Sequence, residues 1–167
     1  FLIEDPDSLW KGRNLYDLYR EAHTPWEWHR PIFARAKELG ITAFSSAFDA
    51  TAVDFLMSLD TPCFKVASFE NTDIPLLKKV AATGKPVIVS TGTASEEEIR
   101  TAVDTLKAAG AKQLMILKCT SAYPALPRES NLATIPDMRK RFGVQVGLSD
   151  HTHGIGAAVA AVALGAC

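Results

Sequence analysis

Ser149, Asp150 and His151 stand directly behind the apolar residues Val144, Val146 and Leu148, and Gly154 opens a helical stretch just beyond them. A hydroxyl, a carboxylate and an imidazole at the end of an apolar run are the types that bind anions, ligate metals or move protons. Two lysines give a second signal. Lys65 lies inside Cys63-Phe64-Lys65-Val66-Ala67-Ser68, and Lys118 follows Leu114-Met115-Ile116-Leu117. An ammonium in a strand covered on both faces has no water, and leaving it unpaired costs roughly several kcal/mol. It therefore needs an anion, either Glu70 or Asp150 as a structural partner or a charged substrate. Ser45-Ser46, Ser68, Ser90-Thr91 and Thr120-Ser121 also close apolar runs. Hydroxyls beside free backbone N–H groups suit phosphate or carboxylate oxygens. Neither a Walker A nor a G-x-G-x-x-G pattern is present, so this is not a nucleotide loop.

The elements that must position these groups follow a repeating order. Thr24-Pro25-Trp26-Glu27 predicts a capped helix start, with Thr24 as N-cap and Glu27 closing a capping box; the helix runs to Leu39 and stops at Gly40. Ile41 to Phe44 reads as a short buried strand. Helices follow at about Thr51 to Leu59, from Thr72 or Asp73 to Gly84, from Ser95 to Gly110, from Pro136 to Phe142, and from Ile155 to Leu164. Between them lie the strands Cys63–Ser68, Pro86–Val89, Gln113–Leu117 and the run ending at Ser149. Five strands alternating with helices predict a parallel sheet. Two architectures compete: a doubly wound domain, which fits 167 residues, and a piece of a (β/α)8 TIM barrel, whose full length is about 250 residues. Five polar strand ends converging on one edge favour the barrel, because a doubly wound sheet concentrates its function at one switch point.

A net charge of −1 with scattered Lys and Arg gives nucleic acid no electrostatic footing. No apolar run has the length of a membrane span, and Phe1-Leu2-Ile3-Glu4-Asp5 has neither the basic start nor the apolar core of a secretory leader. Cys63, Cys119 and Cys167 share no metal-type spacing and read as reduced thiols, so a cytoplasmic protein is expected. His29 and His153 read as surface or loop residues. His151 alone cannot hold a divalent ion, and further ligands must come from elsewhere.

The stretches Phe44-Ser45-Ser46-Ala47-Phe48-Asp49, Lys65-Val66-Ala67-Ser68-Phe69-Glu70, Ser90-Thr91-Gly92, Leu117-Lys118-Cys119-Thr120-Ser121-Ala122-Tyr123-Pro124 and Gly147-Leu148-Ser149-Asp150-His151-Thr152 together resemble the sialic acid synthase family. Asn14 to Tyr19, Thr24 to His29, and Ser121 in place of Asn are most similar to its pseudaminic acid synthases. Ala47 departs from the usual Pro, and His153 stands where an apolar residue is common.

The resemblance implies a (β/α)8 barrel present as about five central βα units, without its first two strands, its last strand and a C-terminal antifreeze-like domain. It implies condensation of phosphoenolpyruvate with an N-acetylated amino-sugar aldehyde in a homodimeric enzyme, with no nucleic-acid or membrane partner. Lys65, Ser68, Ser90, Ser149, Ser46 and Tyr123 would contact phosphoenolpyruvate, with Lys118, Ser121 and Asp150 as outer candidates. Glu70 would act as acid/base, and His151 would be one ligand of Mn²⁺ or a similar ion such as Mg²⁺ or Co²⁺. Within the family an N-acetylneuraminate or legionaminate synthase stays open, and two rivals come from other classes: a Schiff-base aldolase with Lys65 as nucleophile, and a non-catalytic doubly wound ligand-binding module.

Overall fold

The computed structural model describes residues 1–6 and 8–167. These form two compact units, Phe1–Ile41 and Thr42–Cys167. In the first unit the chain doubles back so that Leu2 bridges antiparallel to Asn14. Asn14 then caps helix α1 (Leu15–Ala22) by accepting the Tyr16 N–H at 2.9 Å. Helix α2 spans Trp26–Glu38, and its start differs from the expected capping box. Pro25 itself occupies the cap in an extended conformation, with no side-chain cap bond. This leaves Thr24 one residue too far out for its hydroxyl to reach the first turn.

The second unit runs α3 (Ala50–Ser58), β1 (Phe64–Val66), α4 (Ile74–Ala82), β2 (Val87–Ser90), α5 (Glu96–Ala108), β3 (Leu114–Cys119), α6 (Thr134–Phe142), β4 (Gln145–Ser149) and α7 (Gly156–Ala163). The helix starts are set chemically. Asp49 accepts the Ala52 N–H at 2.8 Å, Asp73 the Leu76 N–H at 3.0 Å, and Ser95 and Glu98 form the expected capping box. Gly143, at φ 60°, closes α6 in the left-handed conformation that favours glycine.

All four strands are parallel, in the order β1-β2-β3-β4. A sequential order with no reversal is that of a barrel wall, and it removes the doubly wound alternative, which needs a switch point. The unit is an incomplete TIM barrel. The strand expected at Ile41–Phe44 does not form. Its pairing shrinks to one parallel bridge between Ser46 and Lys65, with the Ala47 N–H donating to the Lys65 carbonyl at 3.0 Å. Ile41 and Phe44 are exposed, so no buried side chains hold that segment against β1.

Strand alternation sorts the sheet into two faces. Phe64, Val66, Val87, Val89, Ile116 and Val146 share one face and are completely buried, as are Leu56, Leu77, Val80, Leu106 and Ile135 of the covering helices. Lys65, Ile88, Ser90, Met115, Leu117, Cys119 and Ser149 share the other, the inner face of the barrel wall.

Candidate active site

The C-terminal ends of β1–β4 carry their polar residues to one edge. Lys65 and its bridge partner Ser46 project from the inner face, as do Ser90 and Ser149. The Lys65 ammonium is half-buried and donates to the Val66 carbonyl at 3.2 Å. Among the described residues, no carboxylate lies within 4.0 Å of it. Burial pushes its pKa down, and the Cys119 thiol and the Glu70 carboxyl pull it partly back. Glu70 ends a single 3-10 turn, Ser68–Glu70, just beyond β1. Burial pushes its carboxyl pKa up, against the opposing pull of a backbone N–H and of Lys65. Its Oε2 is buried without a hydrogen-bond partner. The Ser90 Oγ is likewise buried and unpartnered. A half-buried lysine with no carboxylate of the described residues in contact, and buried oxygens unpartnered among those residues at the same sheet edge, make this a candidate site for a polar ligand.

Ser68 is held from three sides. The Gly92 N–H donates to its Oγ at 3.1 Å, and its carbonyl accepts from Asn71 Nδ2 at 2.7 Å and from Thr93 Oγ1 at 3.2 Å. The Asn71 amide also reaches the Ser90 carbonyl at 3.5 Å, tying the ends of β1 and β2 together. Ser121 lies over Gly92, with Cys119 Sγ 3.8 Å from its Oγ. Beyond β4, the His151 Nδ1–H donates to the Thr120 carbonyl at 2.9 Å, and its ring lies 4.4 Å from that of Tyr123. With Nδ1 committed as donor, Nε2 carries the lone pair that a metal or a proton needs.

Two sequence-predicted residues stand apart from this group. Lys118 pairs with Leu148 and lies on the opposite face from Leu117 and Cys119. Its ammonium donates to the Cys119 carbonyl and to Thr120 Oγ1, both at 3.1 Å, and it lines a small cleft with Ile99, Met138 and Arg141 of α5 and α6. The register thus puts it on the opposite face of the sheet from Lys65. Asp150 is exposed and accepts the Thr152 N–H at 2.9 Å, closing a local turn. Sequence reasoning passed over Asn71, the Thr120 carbonyl as the partner of His151, and the nearness of the Cys119 thiol to Ser121 and His151. An Asn after a strand reads as a turn residue, a carbonyl has no sequence signature, and a cysteine in an apolar run reads as core.

The donor chemistry fits one ligand of a divalent ion, His151 Nε2. Among the described residues, no group of three or more His, Cys, Asp or Glu is arranged to hold a metal ion. Nor is any described helix long and apolar enough to cross a membrane.

Sequential parallel strands with polar groups gathered at their C-terminal ends define a TIM-barrel-type protein, and that edge is its candidate site. A model of the NeuB family matches residues 3–167, and the chain belongs to that family. It is 46% identical over 159 residues to a pseudaminic acid synthase of Campylobacter jejuni subsp. jejuni serotype O:23/36, covering 95% of this chain and 46% of that protein. It is 41% identical over 167 residues to the pseudaminic acid synthase of Helicobacter pylori, covering 98% and 49%. The crystal structure of an N-acetylneuraminic acid synthetase from Leptospira borgpetersenii serovar Hardjo-bovis, in complex with citrate, superposes with a TM-score of 0.85 at 32% identity. That match covers 90% of this chain and 52% of the other. The chain thus spans about half the length of the curated relatives it matches.

Proposed function

We propose that the polypeptide containing this chain condenses phosphoenolpyruvate with an N-acetylated amino-sugar aldehyde and releases phosphate. In the same proposal the sugar is 2,4-diacetamido-2,4,6-trideoxy-L-altrose and the product pseudaminic acid. The observation that carries this reading is Lys65, half-buried with no carboxylate of the described residues in contact, on the same face of the wall as Ser46, Ser90 and Ser149 and just before the Ser68 turn. An acceptor with two anionic groups, phosphate and carboxylate, answers an ammonium and a ring of O–H donors. The relatives named as pseudaminic acid synthases support the choice of sugar.

In this mechanism, C3 of the enol attacks the aldehyde carbon and forms the new C–C bond. Water adds to C2, and the tetrahedral intermediate expels phosphate by C–O cleavage, leaving a keto acid. Lys65, Ser46, Ser68, Ser90 and Ser149 hold the phosphate and carboxylate through these steps, and Tyr123 walls the pocket beside His151. Glu70, its pKa raised by burial, keeps a proton to higher pH than an ordinary carboxylate and delivers it to the sugar oxygen. A divalent ion such as Mn²⁺, held in part by His151 Nε2, would polarise the aldehyde when bound. The enzyme works in the cytoplasm as a homodimer.

The test is phosphate release from phosphoenolpyruvate by the complete polypeptide, with and without Mn²⁺, against the altrose derivative and N-acetylmannosamine in parallel. The expected result is Mn²⁺-dependent release with the altrose derivative. Release with N-acetylmannosamine instead would move the reading to an N-acetylneuraminate synthase. No release with either sugar, or borohydride trapping of a carbonyl substrate on Lys65, would refute the reading.

A further inference from the structure

Gly92 is a glycine for reasons of space. Its backbone lies outside the left-handed region, so an ordinary residue could adopt its conformation. A Cβ there would run into Ser121 Oγ far inside van der Waals contact, and would sit 2.9 Å from Cys119 Sγ and 3.0 Å from Ser68 Oγ. Three side chains from the ends of β1 and β3 therefore converge on the one point that a side chain at 92 would fill. The backbone of Gly92 is committed too, because its N–H donates to Ser68 Oγ. A serine oxygen that accepts from an amide keeps its own proton free to donate elsewhere. Among the described residues, the Ser121 hydroxyl has only a long thiol neighbour, Cys119 Sγ at 3.8 Å.

We propose that Gly92 is a positioning residue for the anionic substrate: its missing side chain and its N–H together aim the Ser68 and Ser121 hydroxyl protons into the mouth of the barrel. This rests on the synthase reading above and deepens it. The Thr91–Thr93 turn clamps Ser68 by its Oγ and its carbonyl, so the seat is set before substrate arrives. A preorganised donor pair discriminates in favour of a ligand with several acceptor oxygens and loses that advantage when either hydroxyl is rotated away.

The experiment uses the complete polypeptide and compares wild type, Gly92→Ala, Ser121→Gly and the double variant in steady-state phosphate release and thermal melting. Gly92→Ala is expected to raise the KM for phosphoenolpyruvate about tenfold to a hundredfold, the equivalent of one or two charge-assisted hydrogen bonds. The KM for the sugar should stay within about twofold, since the displaced hydroxyls face the anion. Ser121→Gly removes the worst of the three overlaps, so Gly92→Ala should cost less in that background than in wild type. Additive losses would overturn the proposal, as would a Gly92→Ala enzyme with an unchanged KM. Failure of both Gly92→Ala and the double variant to fold would overturn it in favour of a purely structural glycine. If wild type itself releases no phosphate, the synthase reading fails instead, and the two failures are told apart.

Discussion

Replacing Lys65 by Met should move affinity and stability in opposite directions. In the folded chain the ammonium is half-buried, its one described hydrogen bond is to the Val66 carbonyl at 3.2 Å, and burial holds its pKa down. Without a ligand it therefore carries a desolvation cost that no carboxylate in contact offsets. Met keeps the length and apolar stem of the side chain and removes the charge. The melting temperature of the unliganded protein should consequently stay level or rise. With phosphoenolpyruvate the ammonium gains a partner, and a hydrogen bond to a charged group contributes about 1.5–3 kcal/mol. At about 1.4 kcal/mol per factor of ten, Lys65→Met should weaken phosphoenolpyruvate binding roughly tenfold to a hundredfold. Titration calorimetry for the ligand and differential scanning calorimetry without it, both on the complete polypeptide, read the two numbers independently. Binding within about threefold of wild type would refute the anion-site argument. A loss of more than about 2 kcal/mol of stability would refute the claim that the charge is unpaired.

Two further outcomes follow from the same geometry. Glu70 has a raised pKa in the folded protein, so the native state holds its proton more tightly than the unfolded chain, and its contribution to stability falls as pH rises from the ordinary carboxylate range through the raised value. Urea midpoints of wild type and Glu70→Gln should therefore coincide near about pH 4 and separate in favour of Gln by about pH 8, and the opposite trend would show that the carboxylate is stabilised in place. Gly147→Ala would put a Cβ 2.7 Å from the Cys167 carbonyl oxygen and 2.8 Å from Leu117 Cδ2. Because a backbone atom cannot step aside cheaply, the variant should lose about 1–3 kcal/mol, seen as a lower denaturation midpoint at unchanged m.

The βα succession was legible because each unit announces its own boundaries. Asp73 and Ser95 start helices, Gly84 and Gly110 stand just past their ends, and apolar runs between them make strands. The failures share a cause, since each needed a partner that local sequence does not name. The run Ile41–Phe44 has the composition of a strand, yet it pairs with β1 only where Ser46 meets Lys65. Thr24 has the right chemistry for a cap, but the ψ of 141° at Pro25 keeps that residue outside the helix and makes it the cap.

Lys118 is the sharper case. A strand of a parallel sheet is apolar on both faces, so its sequence does not say which residues look inward. Lys65 and Lys118 each follow apolar neighbours and look equivalent, and only the register separates them. Lys65 aligns with Ile88 and Met115, in phase with Ser90, Cys119 and Ser149, whereas Lys118 is one residue out of phase. A one-residue difference in phase moves a charge from one side of the wall to the other. The same register moves Cys119 the other way, from anonymous core thiol to a neighbour of Ser121 and His151. The proposed anion seat is therefore one lysine with Ser90 and Ser149 in phase with it, and Gly92, on which the Ser68 and Ser121 hydroxyls close, belongs to the geometry of the same proposal.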